Sequence, residues 1–197
     1  MKKNTALPIF IFITVIISTM FFSCRKIDTM KLVGDWKVVS LSSSYTFNNE
    51  KYETIFDGTT KTSKHLVSDS IVEENSYTGA IYTDYHSDGT YVYSETFKHN
   101  DTGVTETLGV DGHWYFTGPN SEADWAVTDL LAMQATKSTF NTDMGNSHTT
   151  IYQGQNTLEL YEITTLSKTK VGLKMQKAET INFTQYVTTM EFTLEPR

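Results

Sequence analysis

YTGAIYTDYHSDGTYVYSETF, residues 77–97, decides the fold. Two runs rich in Tyr, Thr, Val and Ile flank Ser87-Asp88-Gly89, and Asp-Gly between alternating apolar runs is a strong hairpin signal. In the second run Tyr91, Tyr93 and Phe97 share one face with Glu95, while Thr90, Val92, Ser94, Thr96 and Lys98 share the other. A period of two assigns the aromatic face to an interior. Glu95 is the one charged member of that face.

Outward from this hairpin the chain stays β from Leu32 onward. Its short runs are dominated by Tyr, Thr, Val, Ile and Phe, which suit a pleated, half-buried surface. After residue 23 the only prolines are Pro119 and Pro196. A second Asp-Gly, Asp111-Gly112, leads into HWYF. Residues 156–166 (NTLELYEITTL) and 170–175 (KVGLKM) predict another hairpin around Ser167-Lys168. In the closing run INFTQYVTTMEFTLEP, Ile181 and Phe183 are odd-numbered whereas Met190, Phe192 and Leu194 are even-numbered. That parity switch predicts a bulge between Thr184 and Val187. Asp57–Ser76 is polar and reads as a long loop with one short strand, and 141–149 reads as a loop. Residues 121–137 support two readings. Ser121 and Asp124 resemble a capping box ahead of helically spaced Ala123, Val127, Leu130 and Leu131; alternatively Trp125, Val127 and Leu131 form one face of a strand, which the β neighbours favour.

Eight to ten strands joined by hairpins predict an all-β antiparallel meander. Closing it into an up-and-down barrel removes the exposed edges, with an open sandwich as the alternative.

The first residues are of another kind. Lys2 and Lys3 precede an apolar run from Ala6 to Phe22, and Ser23 then precedes Cys24. A basic start, an apolar middle and a small residue at the cut make a secretory signal. The run is also at the short edge of what spans a bilayer, so an uncleaved anchor is the rival reading. Cys24 is the only cysteine of the 197 residues, and an exported chain with one cysteine forms no internal disulfide. Its position resembles the lipobox of bacterial lipoproteins, where the sulfur carries a diacylglycerol and the signal is cut just before it. This divides the chain into a signal (1–23), a lipidated cysteine with its tether (24–31) and a barrel domain (32–197).

The net charge is −7. Without Lys2 and Lys3, 14 basic residues face 23 acidic ones, a net charge of −9. No basic stripe interrupts that surface, which excludes nucleic acid as an expected partner.

Chemistry is sparse. There is no Gly-x-Ser-x-Gly elbow, His-Glu-x-x-His helix or phosphate-cradling glycine loop, and the only thiol is committed to the anchor. His65, His86, His99, His113 and His148 are scattered, with no pair at metal-ligand spacing. HNDTG and NTDMGNS lack the Asp spacing of a calcium loop. No cofactor or metal is expected, and no enzymatic activity. Glu95 supports three readings: a solvated carboxylate near a barrel mouth, a ligand contact, or a general acid–base. With it, Tyr93, Trp114, Tyr161, Met175 and Phe192 are the candidates to line a cavity, the alternative being plain core.

The motifs fall in a telling order: the lipobox cysteine and short tether, Leu32-x-Gly34-x-Trp36, Asp88-Gly89-Thr90-Tyr91, Gly112-x-Trp114, Tyr161-x-Ile163-x-x-Leu166 and Leu173-x-Met175. Together they resemble the lipocalin-like, calycin-type lipoproteins of the Bacteroidota over roughly residues 30–195. The resemblance implies that Gly34 and Trp36 open the first barrel strand, with Trp36 plugging one end, and makes Arg197 the basic residue that would cover Trp36. The Thr-Asp-Tyr motif of lipocalins has a counterpart in Thr83-Asp84-Tyr85, which lies just before a hairpin turn and is set aside as coincidence. Arg25 and Lys26, rather than an acidic cluster, follow the cysteine, which implies the outer membrane with the protein facing the periplasm. The expected function is binding of a small hydrophobic or amphipathic ligand in the barrel. The alternative is a non-enzymatic interaction protein, its barrel filled and loops 57–76 and 118–149 presented to an envelope partner.

Overall fold

The computed structural model describes residues 31–117, 130–152, 157–181 and 184–197. The signal segment, Cys24 and the tether through residue 30 lie outside the described residues. The strands are β1 (Gly34–Phe47), β2 (Glu50–Phe56), β3 (Thr60–Val67), β4 (Ser70–Tyr85), β5 (Thr90–His99) and β6 (Thr105–Thr117), then β7 (Leu130–Thr142), β8 (Ser147–Ile151), β9 (Leu158–Leu166), β10 (Val171–Ile181) and β11 (Thr184–Pro196). They form one antiparallel sheet in the order β6-β5-β4-β3-β2-β1-β11-β10-β9-β7-β8, which β6–β7 pairing closes into a barrel.

The ring has two girths. At the N-terminal end of β1, Gly34–Lys37 pair directly with β4, Gly34 opposite Tyr85. Further along, Leu41–Phe47 pair with β2 instead, Leu41 opposite Phe56. The β2–β3 hairpin is thus a wedge between β1 and β4, and the barrel passes from eight strands at one end to ten at the other. The wedge tip is pinned in the fork. Asp57 Oδ1 accepts the backbone N–H groups of Thr59 and Thr60 at 3.0 and 2.7 Å, and Gly79 N donates to Thr59 O at 2.9 Å. Gly58 takes φ +95° at that tip, and a Cβ there would come within 3.1 Å of Val39 O. On the far side, β8 folds back on the C-terminal half of β7 while β9 pairs with its N-terminal half.

The inner face follows the period of two. On β1 it carries Trp36 and Val38, then Leu41 after a register shift between Val38 and Ser40. Phe56, Ile81, Phe97, Leu131, Val171 and Leu194 are almost fully buried, each worth roughly 1.5–3 kcal/mol on burial. Phe56 and Phe97 meet edge to face at 5.5 Å, closing the interior where the wedge begins.

The expected barrel is therefore present, as are the 77–97 hairpin and the turn at Ser167-Lys168. Other expectations are corrected. Asp57–Ser76 is not a loop with one strand: it contains all of β3 and the start of β4. These strands escape notice because Thr60–Val67 carries polar side chains on both faces, and a strand wet on both sides shows no hydrophobic period. The parity switch after Ile181 is not a bulge. Ile181 pairs with Thr184, so the chain reverses there and the second run belongs to a different strand. Asp111-Gly112 lies inside β6 at a register shift against β7. The 141–149 loop shrinks to residues 143–146 between β7 and β8. The strand reading of 121–137 holds for 130–137 and continues to Thr142; residues 118–129 lie outside the described residues.

Candidate functional site

Inside the barrel is a cavity of about 380 Å³, within the usual range for small-molecule sites. β1, β10 and β11 supply aliphatic and aromatic wall (Val38, Leu173, Phe192, Leu194), and β4 and β5 supply Thr83, Tyr85, Tyr91 and Tyr93. Val110 of β6, Met133 and Ala135 of β7, Met190 of β11, Tyr161 of β9 and Thr157 just ahead of β9 line the rest of the chamber. Tyr152 and Glu159, both exposed, mark where it meets solvent.

Of the six residues expected to line a cavity, Tyr93, Tyr161 and Phe192 do so. Glu95 stands behind Tyr93, which donates its phenol proton to Glu95 Oε1. On its other side Glu95 Oε2 meets Lys61 Nζ at 3.5 Å, with Glu95 only 19% exposed. Lys61 in turn lies 4.0 Å from the centre of the Phe97 ring and 4.9 Å from that of Tyr77. The odd carboxylate of the aromatic face is thus held between a phenol and a caged ammonium. Trp114 and Met175 are corrections: both are buried inward, but neither lines the chamber. The Trp114 indole donates to His86 O at 3.1 Å and crosses Tyr85 edge to face at 5.7 Å. Met175 lies opposite Met190 across β10–β11.

Trp36 is 3% exposed, and its indole N–H donates to Leu32 O at 2.7 Å. It shares the inner face with cavity-lining Val38 and borders a second hollow with Val33, Gly34 and Pro196, which places it between chamber and barrel end. Arg197 does not cover it. Its guanidinium lies over the Tyr82 ring at 4.5 Å, with its backbone N–H donating to Asp35 O. The tripeptide set aside as coincidence proves to be a spatial partner: Thr83, Asp84 and Tyr85 pair with Trp36, Asp35 and Gly34. Thr83 and Tyr85 face the chamber. Asp84 alternates outward beside Asp35, where burial, and then the Asp35 charge, push its carboxyl up.

The sequence alone did not mark Thr83, Tyr85, Tyr91, Met133, Glu159 or Met190 as cavity lining. The first three were legible as the continuation of the aromatic face through the Ser87-Asp88-Gly89 turn. Thr83 is 3% exposed, and its Oγ1 has no hydrogen-bond partner. The neighbouring Tyr85 phenol feels that hydroxyl without reaching bonding geometry and donates to Met133 Sδ at 3.6 Å. Tyr161 donates to Glu159 Oε2 at 2.6 Å. No family model, curated protein or solved structure matches this chain.

Burial is the first cause that pushes Tyr85, Tyr91, Tyr93 and Tyr161 above the ordinary tyrosine value of 10.0; nearby carboxylates add to it at Tyr91, Tyr93 and Tyr161. Above pH 10 the unfolded chain releases these protons while the folded one retains them. The stability they contribute is therefore fully present below pH 10 and is lost as pH rises beyond it. In an alkaline titration followed at 295 nm, these four of the eleven tyrosines are expected to ionise only as circular dichroism reports unfolding. Reversible ionisation of all eleven with the fold intact would contradict the buried chamber.

Proposed function

We propose that this chain is a lipid-anchored, lipocalin-like binding protein of the bacterial envelope that holds a small amphipathic molecule inside its barrel. The observation that carries the reading is the chamber itself: apolar over most of its wall, with phenols and the unpartnered Thr83 hydroxyl converging on it. An unfilled interior of this size favours ligand binding over a filled barrel that only presents loops. The reading assigns no reaction to the site, because Glu95 is engaged by Tyr93 and Lys61, and Glu159 by Tyr161. Native mass spectrometry of the detergent-solubilised protein is expected to show a bound small molecule that is lost on unfolding. Ala135→Phe, which fills the chamber from β7, should abolish that mass while leaving the circular dichroism spectrum unchanged. Persistence of the same adduct in a folded Ala135→Phe variant would place the ligand elsewhere and end the proposal.

The anchor belongs to the same reading. Two or more acyl chains on Cys24 hold a protein to a bilayer stably, at about 0.8 kcal/mol per buried methylene, and the basic residues after the cysteine favour the periplasmic face of the outer membrane. Cys24→Ser is expected to move the protein from the membrane to the soluble fraction on cell fractionation. Unchanged membrane association would rule the lipid out and favour an uncleaved helix.

A further inference from the structure

The chamber has a marked electrical character. None of its lining side chains is a Lys, Arg or His. Its polar side chains are five phenols, the Thr83 and Thr157 hydroxyls, two thioethers and the Glu159 carboxylate at the mouth. Three of the phenols already spend their O–H elsewhere, Tyr93 on Glu95, Tyr161 on Glu159 and Tyr85 on Met133. They therefore turn ring density and oxygen lone pairs, rather than donors, toward a guest. Among the described residues, Glu159 forms no ion pair.

The same barrel shows what such surroundings hold. Lys61 lies between the Phe97 and Tyr77 rings with Glu95 as its counter-charge. Across Tyr93 from that carboxylate, the chamber repeats the aromatic and carboxylate parts of this arrangement: walls from Tyr85, Tyr91, Tyr161 and Phe192, and Glu159 at the rim. Rings of this type attract an organic cation within about 6 Å of their centroids, most strongly where water is excluded. An anion would face Glu159 with few free donors to receive it, and a neutral apolar guest would leave that carboxylate unused.

We infer that the chamber takes an organic ammonium ion, held by the tyrosine walls and the Glu159 carboxylate, with Thr83 Oγ1 available as an acceptor for an N–H of the guest. This rests on the binding reading above and narrows it to one class of ligand.

The test compares three meta-substituted phenols on the detergent-solubilised full-length protein: (3-hydroxyphenyl)trimethylammonium, its uncharged isostere 3-tert-butylphenol, and the anionic 3-hydroxybenzoate. Isothermal titration calorimetry is expected to give the ammonium about tenfold tighter binding than 3-tert-butylphenol, and no binding of the benzoate. Glu159→Gln, at an exposed position, should weaken the ammonium several-fold and leave 3-tert-butylphenol unchanged. If 3-tert-butylphenol binds as tightly as the ammonium, if the benzoate is preferred, or if Glu159→Gln affects charged and neutral probes alike, the cation inference fails while the cavity reading stands. If no probe binds a protein that circular dichroism shows to be folded, both fail.

Discussion

Gly79→Ala is expected to lower the thermal midpoint by about 10 °C. A Cβ built at Gly79 would lie 2.0 Å from Thr96 O, 2.6 Å from the Phe97 ring and 2.8 Å from Phe97 Cα. Gly79 pairs with Phe97 across β4–β5, so two of the three obstacles are backbone of the partner strand, and no rotamer change relieves them. Overpacking costs typically 1–3 kcal/mol where side chains can yield. Here the cost should reach the upper end, and each kcal/mol is worth about 2–4 °C in a domain of this size. Phe97 is 1% exposed and is the inner partner of Phe56, so displacing β5 also loosens the packing at the root of the wedge. Gly109→Ala is the control: a Cβ at Gly109, also within a strand, meets nothing within 4 Å. It should melt within a few degrees of wild type. Equal losses from the two variants in scanning calorimetry would mean that close strand approach at Gly79 does not govern stability.

Trp36→Ala is the second large effect, a loss of about 3–5 kcal/mol in denaturant unfolding. The indole is almost fully buried and satisfies Leu32 O. Its removal leaves a void next to Val38, joined to the hollow at the barrel end, so the chamber gains a second opening. Trp36→Phe separates the two contributions. It retains most of the packing but leaves the Leu32 carbonyl without its donor, which should cost about 1–3 kcal/mol. A loss under 1 kcal/mol for Trp36→Ala would show that the closed end does not depend on this side chain.

The elements legible from residue order are those with one wet and one dry face. Tyr91, Tyr93 and Phe97 announce their side because Thr90, Val92 and Ser94 alternate with them. β2 and β3 lack that contrast beyond Phe56, since their outer reaches are hydrated on both faces. Parity also reports a phase change without its cause, so the reversal after Ile181 and a bulge look alike until pairing is seen. The site divides in the same way. Alternation gives the side of the sheet, which is why Tyr93, Tyr161 and Phe192 were found. It does not give depth along the barrel, and Trp114 and Met175 share the inward side yet pack against neighbours outside the chamber. Glu159 was hidden by Leu158 and Leu160, apolar residues of the outward phase, with Leu160 45% exposed.

The β2–β3 hairpin acts as a gusset in a sleeve. The cuff around Trp36 is stitched by β1 directly to β4 and keeps its circumference whatever happens to the inserted panel. Changes at the panel's outer end, residues 48–53 and 66–69, therefore retailor only the broad rim, whereas Phe56 and Lys61 reach inward to Phe97 and Glu95. The tyrosine chamber, which draws none of its lining from that panel, is left to its own selection, so the two ends of this molecule can diverge at independent rates.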